Sequence, residues 1–281
     1  MQRTTAHCLA LTIALTAATG CTSSDGLDED DQERRPPRAL LAALRTVERS
    51  TDGADSAKVE STTVMGSELS LEADGALGWG DGLTGTLTIT YTGGPTAETM
   101  RDLGVTSMEA RYLPDAYYAR MGDTFAEQTG GKHWIRYAYD DLDDLGGGAA
   151  ASFADQMRSA TPNQSVKLLL ASGDVHKIGE EQVRGQHTTH YSGTVSVGDL
   201  ADAELKELLR QAGVTTQTVD IWVDDQDLLI KKIEQGRLAT GHLTQTAYYS
   251  DYGVRVTAAE PPASDTEDFK ELLKKQGGSA S

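Results

Sequence analysis

Beyond residue 21 this 281-residue sequence has no cysteine; its two cysteines are Cys8 and Cys21. That excludes an intrachain disulfide, a thiolate metal site and a cysteine nucleophile from the body of the chain. Basic residues are also few: 25 Lys and Arg face 43 Asp and Glu, for a formal net charge of −18. Such acidity repels phosphates, which argues against a nucleic-acid binder and against flat adhesion to anionic headgroups. Its ordinary consequence is solubility. Long apolar runs are missing too. The longest, Cys8 to Ala18, spans 11 residues, and crossing a bilayer takes about 20. There is no G-x-S-x-G elbow, no phosphate-cradling G-x-x-x-x-G-K, and no G-x-G-x-x-G at a strand–helix junction. The residues therefore name no catalytic group, and we expect a protein that is not an enzyme and uses no cofactor.

Two clusters invite a metal reading and do not sustain it. His187 and His190 are three apart in a β-branched context, and positions i and i+3 of a strand face opposite sides. Asp140, Asp141, Asp143 and Asp144 precede Gly146–Gly148, but the alternating spacing of a calcium loop and its closing glutamate are absent. No metal is expected, and residues 140–148 read as an acidic loop.

What is present begins at the N-terminus. Arg3, the short apolar run and Ala18-Thr19-Gly20-Cys21 have the layout of an export signal followed by a lipid-accepting cysteine. The four residues resemble a bacterial lipobox, with Ala18 in place of the commoner leucine. The resemblance implies a diacylglycerol on Cys21, with acyl chains of the palmitate kind, and removal of residues 1–20. The polar, acidic stretch that follows, closed by Pro36-Pro37, cannot bury a core and reads as a flexible tether over residues 21–36.

A single domain is expected over residues 37–276. Leu40, Leu44 and Val47 share one face of a helix over residues 38–49. Alternating strands follow over 57–65, 69–74, 83–91, 108–113, 116–121 and 133–139, with Gly93-Gly94-Pro95 as a hairpin connection. Short helices are expected over 153–159 and 165–171, then strands over 175–183 and 187–197, and a helix over 199–212. Strands over 216–223, 228–235 and 242–249 follow, and 254–258 closes the sheet. Ser264-Asp-Thr-Glu267 has the spacing of a capping box that opens a last helix, with Phe269, Leu272 and Leu273 on one face. Short strands joined by hairpins favour an antiparallel sheet. The fold class is α+β: a curved antiparallel half-barrel sheet with helices packed over its concave face.

Plain aliphatic stripes stand out on two groups of strands: Leu69, Leu71, Leu87 and Ile89 early, and Val219, Ile221 and Val223 late. Such stripes either fill a core or wall a cavity for an apolar ligand, and both readings stay open. Polar residues at Gln217, Lys232 and Thr244 interrupt the late strands.

Several segments together resemble one family. Gly179-Glu-Glu-Gln-Val-Arg-Gly185 leads into His187-Thr-Thr-His-Tyr191 and Thr194-Val195. Val219-Asp-Ile-Trp-Val-Asp224 then precedes Leu228-Leu-Ile-Lys-Lys232. With the lipobox and tether, this resembles actinobacterial lipoproteins of the LolA/LppX/LprG-like type over roughly residues 36–275. The resemblance implies a half-barrel wrapped by helices over an apolar cavity that holds the acyl chains of a lipid or lipidated ligand. It implies a site made of shape and apolarity, with Trp222 a structural anchor, His190 a hydrogen-bonded strand residue and Trp134 a core residue. The expected function is a membrane-anchored envelope lipoprotein that binds or transfers an acyl-chain lipid, on the extracellular face of the cell membrane. The competing expectations are a non-enzymatic surface lipoprotein that binds or regulates a protein partner, and an enzyme on the same scaffold.

Overall fold

Pro37 leads directly into the first helix, α1 (Arg38–Gly53), which continues four residues past the expected end. Leu44, Val47 and Thr51 recur at helical spacing and are its buried residues, so one stripe faces the core. The structure is a computed structural model. It describes residues 37–145, 153–155, 157–158, 160–211, 213–238 and 241–278. The expected export signal, Cys21 and the tether lie outside the described residues, as does the expected loop over 146–148.

Strands β1 (Ser56–Met65), β2 (Leu69–Gly78) and β3 (Thr84–Gly93) are successive antiparallel neighbours. β4 (Ser107–Tyr112), β5 (Ala116–Arg120) and β6 (Trp134–Ala138) extend the sheet on that side. The second half of the chain adds β7 (His176–Val183), β8 (Gln186–Ser196), β9 (Thr216–Asp224), β10 (Leu229–Leu238) and β11 (Gly241–Ser250) on the other side. β12 (Thr266–Asp268) completes one sheet of twelve strands, in the order β12-β6-β5-β4-β3-β2-β1-β11-β10-β9-β8-β7. Every neighbouring pair is antiparallel except β12 with β6. The two halves join where Val59 faces Tyr249 across β1 and β11.

Opposed residues of paired strands share a face. Ala73 opposes Ile89, which opposes Met108; Tyr191 opposes Ile221. These residues belong to, or pack against, the main core, which identifies the inner face. Two glycines bend the sheet around it. Gly75 and Gly85, on adjacent strands, have φ of +153° and +147°. A Cβ on Gly75 would lie 2.1 Å from the Thr86 carbonyl oxygen, and one on Gly85 2.2 Å from that of Ala76. Only glycine fits such a close backbone approach within a strand.

Further helices are α2 (Pro95–Asp102), α3 (Asp123–Gln128), α4 (Tyr139–Asp144), α5 (Asn163–Ala171), α6 (Ala203–Gln211) and α7 (Phe269–Gly278). Residues 153–155 and 157–158 are helical as well. α1 and α5 pack on each other, and α5 lies against β8 and β9. A Cβ on Gly193 of β8 would stand 3.0 Å from Leu169 Cδ2, so its absence lets α5 sit close. The mixed α+β architecture, an open curved sheet with helices over its inner face, is the one the sequence predicts.

The local departures have identifiable causes. α2 stands where the Gly93-Gly94-Pro95 hairpin was expected, because Pro95 occupies the first turn of a helix. The acidic stretch after Tyr139 is helical up to Asp144 rather than a loop. Tyr139 and Leu142 are one turn apart and buried, while Asp140 and Asp141 lie in the first turn, where acids are favoured. Residues 254–258 form no strand; the chain there is held by Ser56 Oγ donating to the Val254 carbonyl and Arg111 Nη1 donating to that of Ala259. The expected capping box instead forms a short 3-10 turn (Ala263–Asp265) and β12. Asp265 Oδ1 accepts from the His133 backbone N–H at 2.9 Å, and Asp268 takes over the capping role by accepting from the Lys270 N–H at 3.0 Å. Leu273 is exposed, so only Phe269 and Leu272 of the expected α7 face are covered.

Candidate functional site

The inner face contains two environments. Beneath α1 and α5 the floor is closed. Val219, Ile221 and Val223 are buried there in the main core with Leu44, Val47, Leu168 and Leu169. Leu87 of β3 is buried in the same core. Nearer the β1–β2 turn the floor is only half covered. Leu69, Leu71 and Ile89 are half-buried, as are their inward-facing neighbours Tyr91, Met108 and Leu243. The seven sequence-predicted residues thus divide into four within a filled core and three on an open apolar floor.

Soft side chains border that floor on the β5–β6 side. Tyr137 lies 4.7 Å from Phe269 and 5.4 Å from Phe153, ring centre to ring centre, and Tyr117 lies 5.8 Å from Phe153. Met121 and Met157 pack against the same core without being fully buried. Thioethers and tilted rings adapt to irregular apolar shapes. Tyr91 Oη donates to Met108 Sδ at 3.5 Å. Burial pushes the Tyr137 and Tyr139 phenols up to about 12, with the Tyr91 phenol adding to the first and the Arg158 guanidinium opposing the second. Both are therefore neutral at physiological pH, and no phenolate faces this interior.

A polar cluster interrupts the inner face on β9 and β10. Lys232 Nζ donates to Glu234 Oε1 at 3.0 Å, Gln217 Nε2 donates to Glu234 Oε2 at 3.0 Å, and Ser165 of α5 donates to Glu234 Oε1. Ser165, Gln217 and Lys232 are buried. Burial alone lowers the Lys232 ammonium and raises the Glu234 carboxyl. Their mutual attraction, with Tyr249 beside the lysine and hydrogen bonds to the carboxylate, overrides this, so both remain charged. The sequence marks Gln217 and Lys232 as polar interruptions of the late strands, and Glu234 joins them in the structure. Its signal was available: with period 2, residues 232 and 234 take the same face as their partners Ile221 and Val219.

The outer face has different chemistry. His190 stacks on Trp222 at 4.2 Å, and its Nε2 lies 2.9 Å from Asp220 Oδ1. Lys231 Nζ sits 3.8 Å from the centre of the Trp222 ring. Trp222 is buried here with Val183 and Ile230, and Trp134 in a separate small cluster with Ala116 and Tyr118. A pocket of about 260 Å³ is lined by Glu60, Glu72, Asp74, Arg184 and Tyr248, a polar and acidic wall unsuited to an acyl chain. Asp141 and Asp143 form ion pairs with Lys270 and Arg158. Among the described residues no group of three or more His, Cys, Asp or Glu is placed to hold a metal ion. Among them, too, no helix is long and apolar enough to cross a membrane.

No family model matches the chain. The crystal structure of LprF from Mycobacterium bovis superposes with a TM-score of 0.51 at 13% identity, covering 82% of this chain and all of that one. The Mycobacterium tuberculosis lipoprotein LppX gives 0.49 at 19% identity, over 79% of this chain and all of that one. The chain shares the fold of LprF, an open curved sheet with helices on its inner face. More closely, the chain is 60% identical to SCO4650, a predicted lipoprotein of Streptomyces coelicolor, over 98% of each chain. It belongs to the same actinobacterial lipoprotein family.

Proposed function

We propose that this protein is a non-enzymatic envelope lipoprotein, anchored through a lipid on Cys21 to the extracellular face of the cell membrane, that binds or transfers an acyl-chain lipid on its inner face. Residues 1–20 act as the export signal, 21–36 as the tether and 37–276 as the binding domain. One observation carries the reading: Leu69, Leu71, Ile89, Tyr91 and Met108 make an apolar floor that helices cover only in part. An acyl chain laid there leaves water at about 0.8 kcal/mol per methylene. A neutral, uncharged border of Tyr137, Phe153 and Phe269 suits the same cargo.

Native mass spectrometry of the full chain purified from membranes tests this. We expect one lipid per protein, lost in Ile89→Lys while circular dichroism and thermal unfolding stay near wild type. A lipid-free mass with no uptake of offered phospholipid or glycolipid would end the carrier reading in favour of a surface lipoprotein that binds a protein partner. Cys21→Ser tests the anchor. The variant is expected in the soluble fraction rather than the membrane pellet, and retention in the pellet would contradict it.

A further inference from the structure

The polar cluster on β9 and β10 has unused bonding capacity. Gln217 is 3% exposed, and its Oε1 has no hydrogen-bond partner among the described residues, although its Nε2 is spent on Glu234. A buried acceptor left open is costly, and each such group calls for an account. Beside it, Lys232 has three N–H donors, of which Glu234 takes one. Ser165, Gln217 and Lys232 all converge on the same carboxylate, so the cluster is fully charge-balanced, with one ammonium and one carboxylate.

Its position is as telling as its chemistry. Gln245 opposes Glu234 on the inner face, and Thr63 opposes Gln245 on the next strand. Gln245 Nε2 donates to Thr63 Oγ1 at 3.3 Å. Thr63 in turn opposes Leu71, the middle of the open apolar floor. A polar stripe therefore runs from the buried cluster to the edge of the floor, one strand at a time.

We propose that this cluster is a polar anchor for an uncharged, hydroxyl-bearing lipid head, whose acyl chain runs across β11 and β1 to the floor. The inference rests on the acyl-lipid reading above and adds the head to it. A hydroxyl donates one hydrogen bond and accepts two, so it can donate to Gln217 Oε1 and accept from a spare N–H of the Lys232 ammonium. A carboxylate or phosphate head would have to face Glu234, and an ammonium head would face Lys232. Either would add an unbalanced charge to a buried site.

The test compares mono-oleoylglycerol, methyl oleate and oleate in binding to the detergent-purified full chain, with Gln217→Met beside wild type. The three probes share a chain; only the first has an uncharged head with hydroxyl donors. We expect wild type to prefer mono-oleoylglycerol by about tenfold, the effect of one well-made hydrogen bond. Gln217→Met should abolish that preference while keeping methyl oleate binding, which also reports that the variant is folded. Equal binding of all three probes by wild type, or a preference that survives in Gln217→Met, would overturn the anchor and leave the acyl-chain reading standing. Binding of none would overturn both.

Discussion

Lys232 and Glu234 stand two residues apart on one strand, and both point into the protein. A charge in that position is tolerated because its partner is 3.0 Å away and because Gln217 and Ser165 also donate to the carboxylate. Removing one partner leaves the other charged and buried. Glu234→Leu is therefore expected to lower stability by about 3–5 kcal/mol, and the double replacement Lys232→Met/Glu234→Leu to recover most of the loss. Urea unfolding of the three proteins measures both. A double variant as unstable as the single one would show that the pair is not the source of the cost. Of this cluster, the sequence exposes the polar character of Gln217 and Lys232. It hides the meeting of Ser165 with Glu234, because those residues are 69 apart and their contact depends on how α5 crosses the sheet.

Two elements show how backbone and charge set the shape of the half-barrel. At Gly75 and Gly85 the inward bend of β2 and β3 needs a positive φ and leaves no space for a Cβ. Gly75→Ala and Gly85→Ala should each cost about 1–3 kcal/mol through backbone strain, read as a lowered urea midpoint. A neutral result at both sites would remove the glycine bend from the explanation of curvature. The C-terminal element, β12 with α7, is attached by pairing with β6, by Phe269 in the core and by ionised acids. Hydrogen bonds from Lys132 and Lys275 hold the Glu267 carboxyl below its ordinary 4.5, and those from His133 hold Asp265 below its ordinary 3.8. Depressed carboxyl values contribute stability that is fully present above the ordinary values and is lost as pH falls through the depressed ones. Hydrogen exchange should thus show residues 266–278 losing protection below about pH 4 before β1, β2 and β11 do. Loss in the reverse order would contradict the ionic attachment. The sequence predicts the α7 helix with a cap at Ser264, four residues before the observed Asp268. A capping box and a short edge strand both use small polar residues, and only the pairing with β6 decides between them.

At the scale of the whole molecule, most of the sheet was legible because its strands alternate and its turns carry glycine. The exceptions are β12, the strand expected over 254–258 that does not form, and the connections that became α2, α3 and α4, each too short for helical periodicity to stand out. The candidate site was legible in part. Aliphatic stripes identify the inner face, but covering is a property of helix placement, so the sequence could not separate the closed floor at Val219, Ile221 and Val223 from the half-covered one at Leu69, Leu71 and Ile89. On the proposed function, that difference in covering favours β2–β4 over β9 as the place for an acyl chain. The most direct measurement is photocrosslinking of the full chain with a fatty acid carrying a diazirine near its methyl end, followed by peptide mapping. Crosslinks are expected at Leu69, Leu71, Ile89, Tyr91 and Met108, competed away by unlabelled lipid. Crosslinks confined to the outer face, around Glu60, Asp74 and Tyr248, or spread without competition, would contradict the acyl-chain reading.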